Sequence, residues 1–345
     1  MNALTVAPFK GEPAEWDAFI RASPDGTHCH LWGWKSIMQR VLGHECIYLA
    51  ARSSDGRLTG VLPLVRVSSR LFGSYLVSMP FLNSGGPLGD DGAVRSLVAH
   101  AREIAERRGI ELMELRSRAP LPLDLPVSQR KITVVRDLVP GDPEQVWSSL
   151  RAKVRSQVRR PQKEGVEVRF GAGERGNFFA VFSQHMRDLG TPTLSRKLFD
   201  ALAETFPSDV WFGCAYHGQR PIAAGCGFVW GNEIEMTWAS SLNSFAPLAA
   251  NMLLYWRFME RAAAEGLSVF NFGRCTPGSG THRFKQQWGS RDVPLTWYQH
   301  RDDARGRAAT PSPDDRAFAW GPRVWRRLPL KLANLLGPRV VRLIP

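Results

Sequence analysis

Phe284 and Trp288 lie four residues apart, so in a helix they share one face while Arg283 and Lys285 project elsewhere. An aromatic anchor of that kind can hold a cation beside an anion or a developing oxyanion. The residues just before them, in Leu267 to Gly289 (LSVFNFGRCTPGSGTHRFKQQWG), read as an apolar strand through Val269, Phe270, Asn271 and Phe272. Gly273 then lets the backbone turn sharply. Arg274 to Thr281 is rich in glycine, proline, serine and threonine, the composition of a loop that packs closely on a ligand or on another backbone. An ordinary loop followed by a solvated helix fits the same spacing.

A second group of chemistry-bearing residues is basic. Arg151, Lys153, Arg155, Arg159, Arg160 and Lys163 stand in one predicted helix, with Arg151, Arg155 and Arg159 repeating every four residues. Seven basic residues and no acidic one lie between Arg316 and Pro345, which places half of the formal charge of +13 in a tail. Such clusters suit nucleic acid, anionic lipid headgroups or phosphate-bearing substrates, and a solvated helix face has the same composition. The tail interleaves Trp320, Val324, Trp325, Leu328, Leu332, Leu335 and Leu336 with arginine and lysine, a pattern suited to a bilayer interface or to packing on its own domain. The five cysteines show no CxxC spacing, and there is neither a metal-ligand cluster nor a Ser-His-Asp set, so no metal is expected.

At 345 residues and 43% hydrophobic content, the chain has room for two globular domains. No apolar run reaches membrane-spanning length and the first residues lack a signal-peptide pattern, so a cytoplasmic location is expected.

The elements that must position these residues follow one order twice. Helices at Ala14 to Ala22 and Leu31 to Leu42 precede strands at Cys46 to Arg52, Leu58 to Val67 and Tyr75 to Met79, a helix at Ala93 to Arg108, and strands at Ile110 to Leu115 and Ile132 to Leu138. After an Asp142-Pro143 helix start, one helix carries Val146, Leu150, Val154 and Val158 and is ended by Pro161 and Gly165. Strands at Val210, Pro221 and Ile234, a long helix from Pro247 to Glu265, and strands at Leu267 and Pro294 then repeat the first series. The reading is α/β (α+β) with two tandem domains, 1–140 and 141–303, followed by a linker and basic amphipathic tail at 304–345.

This tandem order resembles two acyltransferase domains of the GNAT type, each a mixed twisted sheet flanked by helices. Within that superfamily the chain is similar to the Fem aminoacyl transferases, and most similar to FemAB-related proteins of the exosortase and PEP-CTERM-associated type. The matching pieces are Trp34, Arg155, Gly190-Thr191-Pro192, Thr237-Trp238-Ala239-Ser240, Asn251 to Trp256, Phe272-Gly273-Arg274 and Phe284-Lys285 with Trp288-Gly289. The resemblance implies a cytoplasmic, membrane-facing enzyme that forms an amide bond on a lipid-linked saccharide or peptide in envelope or exopolysaccharide assembly. It makes Phe284 and Lys285 the catalytic pair, with Lys285 at the oxyanion. Arg274 and Arg155 become candidates for binding phosphate or carboxylate, and Trp238, Asn271 and Trp34 for the substrate pocket. Glu233, Glu235 and Asp188 are open as a base, and the amine could need none. The expected partners are an acyl or aminoacyl donor, tRNA among them, a lipid-linked acceptor, and an anionic membrane surface through residues 316–345. No resident cofactor is expected. The donor stays open between acyl-CoA and aminoacyl-tRNA, because the GNAT pyrophosphate loop is replaced by Asn243-Ser244-Phe245-Ala246-Pro247-Leu248-Ala249-Ala250 and no Fem-type helical hairpin is present. An acyl-CoA-dependent N-acyltransferase of a small metabolite and a non-catalytic glycan- or membrane-binding adaptor are the competing readings.

Overall fold

The computed structural model describes residues 4–69, 72–301 and 321–344. In chain order its strands are β1 (Thr5–Pro8), β2 (Glu45–Arg52), β3 (Leu58–Ser69), β4 (Gly73–Val77), β5 (Leu88–Gly89), β6 (Leu112–Ser117), β7 (Val127–Ser128), β8 (Ile132–Asp137), β9 (Val166–Phe170), β10 (Val210–His217), β11 (Arg220–Trp230), β12 (Glu233–Ser241), β13 (Val269–Cys275), β14 (Arg291–Pro294) and β15 (Thr296–Arg301). The helices are α1 (Pro13–Ala22), α2 (Gly33–Arg40), α3 (Asp91–Arg107), α4 (Pro143–Ser148), α5 (Ala152–Lys163), α6 (Arg175–Leu189), α7 (Arg196–Thr205), α8 (Ala250–Ala264), α9 (Gly280–Gln286), α10 (Gly321–Trp325) and α11 (Leu330–Val341). Arg316, Trp320 and the expected linker lie outside the described residues.

The chain forms two compact units, each with one mixed sheet. In the first the strand order is β1-β2-β3-β4-β6-β15-β7, with β5 beside β3; in the second it is β14-β8-β13-β12-β11-β10-β9. Sequence order puts β8 with the first half and β15 with the second, yet each strand lies in the other unit's sheet. Turn signals and periodicity are local, so they cannot reveal which sheet a strand joins.

In the first unit α3 lays Leu97, Ala101 and Ile104 on Leu49, Leu62, Leu64 and Met113 of the sheet. Phe9, Trp16, Trp32 and Tyr48 form a separate cluster of rings. In the second unit, α4, α5 and α8 cover one face of the sheet and α6 the other. Alternation along β10 shows this directly, because Trp211 joins the α8 core while Phe212 meets Phe178 of α6.

The single helix expected from Asp142 to Pro161 is two. It breaks at Arg151, whose backbone is extended, and the apolar stripe Val146, Val154 and Val158 still reaches the core. Pro161 does not end α5 but sits in its last turn, which runs on to Lys163. Likewise α8 starts at Ala250, not Pro247, because Asn243–Leu248 forms a 3-10 turn and Ala249 takes a left-handed conformation before the helix.

The tail helices pack on α6. Arg187 Nη1 donates to Leu328 O at 3.3 Å, Arg326 Nη2 to Leu189 O at 3.2 Å, and Asn334 Nδ2 to Ser183 Oγ at 3.4 Å. Gly190, with φ 79°, ends α6 so close to Pro322 that a Cβ there would lie 2.5 Å from the Pro322 carbonyl. Gly337 fits against Thr193 with similar closeness. No helix among the described residues is long and apolar enough to cross a membrane.

Candidate active site

The second sheet is opened between two parallel strands. β12 pairs with β13 only from Glu233 to Glu235 against Val269 to Asn271, and beyond that point β12 continues unpaired with it to Ser241. Two irregularities help them part. β12 carries an extra residue, Thr237, opposite the Cys226/Gly227 step of β11. β13 is bulged against β8 between Asn271 and Arg274, where Gly273 has φ 72°. A Cβ on Gly273 would sit 2.7 Å from the Met236 carbonyl, so both space and conformation require glycine. An open crevice at the carboxyl ends of adjacent parallel strands is where α/β sheets bind ligands.

A cleft of about 300 Å³ lies there, lined by Ser240 and Ser241 of β12, Asn251 and Tyr255 of α8, Thr281 and Phe284 of α9, and His185 of α6. Phe284 is held edge-on by Tyr255 and Trp288, with ring centroids 5.1 and 6.4 Å away. Ser279 caps α9 by accepting from His282 N at 3.1 Å. His282 is fully engaged, since Nδ1 accepts from Gly278 N at 2.9 Å and Nε2 meets Asp292 at 2.9 Å, so it fixes the glycine-rich loop.

Of the residues expected to act, Phe284 lines the cleft and Lys285 does not. Lys285 is 3% exposed, and its Nζ donates to Gly273 O at 2.7 Å and Arg274 O at 3.0 Å. Burial pulls it from the usual 10.5 to about 8, with Cys275 and Glu235 opposing the shift and Arg274 adding to it. Its amine is thus held by two carbonyls of the β13 bulge. Asn271 is 2% exposed and supports the same bulge from the other side. Its Oδ1 accepts from Gly273 N at 2.8 Å and from Thr133 Oγ1, while Nδ2 donates to Glu233 Oε1 at 2.8 Å. Arg274 is half-buried beside them.

The others stand apart from the cleft. Trp238 packs edge-on against Phe199 of α7 at 5.3 Å, leaving its neighbours from Ala239 on to line the cleft. Arg155 lines a basic concavity of about 430 Å³ on α5 with Arg159, Arg160 and Lys163, and its own guanidinium donates to Ser148 O at 3.0 Å and to Leu150 O. It caps the break between α4 and α5. Trp34 is 1% exposed in the core of the first unit, with Nε1 donating to His28 O at 2.9 Å, so it forms no pocket wall. Among the open base candidates, Glu233 holds Asn271, Asp188 accepts from Arg187 Nε at 2.7 Å, and Glu235 is buried.

His185 is a residue that the sequence does not single out. Its ring is half-buried in the cleft wall, and its Nδ1 is buried without a hydrogen-bond partner. Burial lowers its proton affinity, opposed by the Ser241 backbone and the charge of Asp188. The signal in the chain is a histidine inside a phenylalanine-rich helix, which reads equally well as packing. The described residues contain no group of side chains able to hold a metal ion.

No curated protein matches the sequence. Residues 148–286 match the family described as "Acetyltransferase (GNAT) domain", which takes in α5 through α9 and the whole cleft. Among solved structures, that of FemX is 14% identical with a TM-score of 0.61, covering 84% of this chain and 96% of its own. The C-terminal domain of a putative lysylphosphatidylglycerol synthetase from Agrobacterium fabrum is 12% identical, TM-score 0.56, covering 84% and 92%. A tandem GNAT protein from the clavulanic acid biosynthesis pathway is 13% identical, TM-score 0.51, covering 89% and 100%. The chain thus has the fold of two tandem GNAT-like units, and residues 148–286 of its second unit match the GNAT acetyltransferase domain.

Proposed function

We propose that the protein transfers an acyl or aminoacyl group to an amine, with the reacting carbonyl held in the cleft where β12 leaves β13. The observation that carries this reading is the cleft itself, which lies inside the span matching the acetyltransferase domain and is bordered by His185. In the reaction the amine nitrogen attacks the ester or thioester carbonyl, the C–N bond forms, the C–O or C–S bond breaks, and one proton leaves the nitrogen. His185 receives that proton and returns one to the leaving oxygen or sulfur. The hydroxyls of Ser240, Ser241 and Thr281 and the amide of Asn251 supply hydrogen bonds to a polar substrate. Phe284 forms an apolar wall, and Lys285 acts through the backbone it holds.

The acceptor in this reading is a lipid-linked saccharide or peptide of envelope or exopolysaccharide assembly, the setting of the exosortase and PEP-CTERM-associated proteins that the sequence resembles. Support comes from the likeness in fold to the C-terminal domain of a putative lysylphosphatidylglycerol synthetase, a protein named for a phospholipid product. The test compares thermal shifts and product formation with a panel of acyl-CoAs and with charged and uncharged tRNA. The donor that stabilises the protein should be consumed, and Thr281→Trp, which plugs the cleft from an exposed position, should abolish turnover at unchanged stability. Full turnover in Thr281→Trp would move the chemistry elsewhere. Stabilisation by neither donor class would favour an adaptor.

A further inference from the structure

We infer that the outward side of α10 and α11, with the end of α6, is a docking face for an anionic lipid bilayer. The tail divides cleanly by exposure. Ala333 and Gly337, four apart, are buried against the second unit and Asn334 bonds to Ser183, whereas Lys331, Leu332, Leu335 and Arg339 are exposed. Lys331, Leu335 and Arg339 recur every four residues, so the exposed side carries leucine flanked by cations. Among the described residues the exposed large hydrophobics are Val127, Leu189, Val324, Leu332 and Leu335, and all but Val127 belong to the tail or to the helix end it rests on.

Apolar side chains remain exposed at a cost in water, and here they are ringed by Arg323, Arg327, Lys331 and Arg339 with no acidic residue in the segment. A bilayer surface bearing anionic headgroups answers both features at once, since leucine enters the acyl boundary while arginine and lysine pair with phosphate. The packing of α11 on α6 gives the surface a fixed orientation. Leu189 is one helical turn beyond His185, which lines the cleft, so a docked bilayer would present a headgroup near the cleft mouth. This last consequence rests on the transferase reading; the docking itself does not.

The test is flotation of the full chain with vesicles of phosphatidylcholine alone and of phosphatidylcholine containing about one-third phosphatidylglycerol. Binding is expected to the anionic vesicles and to weaken with salt. It should fall about tenfold or more in a Leu332→Glu, Leu335→Glu protein and in an Arg327→Glu, Arg339→Glu protein, with thermal melting unchanged because these side chains are exposed. Equal binding to both vesicle types, no binding, or binding unaltered by both double variants would overturn the proposal. So would the finding that these variants lose affinity for tRNA while the wild-type chain ignores vesicles. Vesicle binding is read without substrate, so its failure and a failure of donor binding are told apart.

Discussion

Replacing Lys285 by methionine keeps most of the side-chain volume but removes the amine that donates to Gly273 O and Arg274 O. Because burial lowers the folded-state value from 10.5 to about 8, the folded protein binds fewer protons at this site than the unfolded chain between those pH values. Stability contributed by the site therefore rises with pH across that window, at about 1.4 kcal/mol per pH unit, or about 3 kcal/mol in all. The neutral amine still donates both hydrogen bonds, so deprotonation lifts the cost of burying charge without losing the contacts. Urea unfolding of the wild type and of Lys285→Met should show the variant less stable, and the gap should widen by about 2 kcal/mol between pH 8 and about pH 9.5. A gap that stays constant or narrows with pH would mean that Lys285 is solvated and free to act in the cleft, and its positioning role would be refuted.

Arg155→Ala should lower the melting temperature by removing donors from Ser148 O and Leu150 O, a loss of about 1–3 kcal/mol, while leaving the affinity for donor nearly unchanged in the folded protein. Selective loss of donor binding at normal stability would instead return Arg155 to the substrate site. In the first unit, burial holds the imidazole of His30 down to about 4, against weaker opposition from hydrogen bonds with Gly86 and Thr27. Its contribution to stability is therefore complete above 6.5 and is lost as the pH falls toward 4. His30→Gln should flatten the acid limb of the stability curve there, and an unchanged slope would count against a buried neutral imidazole.

The order of elements and the repeat were legible because glycine stops, capping residues and apolar periodicity are local signals. Ser195 caps α7 and Gly190 ends α6 at the positions their residue types suggest. The break at Arg151 was not legible, because it depends on a side chain four residues later turning back onto the carbonyls of Ser148 and Leu150. The motif around Phe284 and Lys285 does not show which of its side chains lines the cleft and which is buried. Residue types alone cannot separate a lysine presented to substrate from one buried under a bulge, and the same holds for Asn271. His185 became visible only when α6 was placed beside β12 and α9, since its partners come from distant parts of the sequence. The tail's two sides were equally hidden, because leucine and arginine occur on both until helix packing chooses.

The position of β15 between β6 and β7 sets a schedule for synthesis. The first sheet lacks an interior strand until residue 296 and its successors leave the ribosome, so the edge of β6, complete at Ser117, must wait unpaired while about half of the chain is translated. The amino-terminal half cannot mature ahead of the carboxyl-terminal half, in contrast to a simple string of domains. A gene fragment ending before β15 should accordingly yield a product that aggregates or is degraded, whereas a permuted gene that carries β15 next to β6 could supply a complete first sheet.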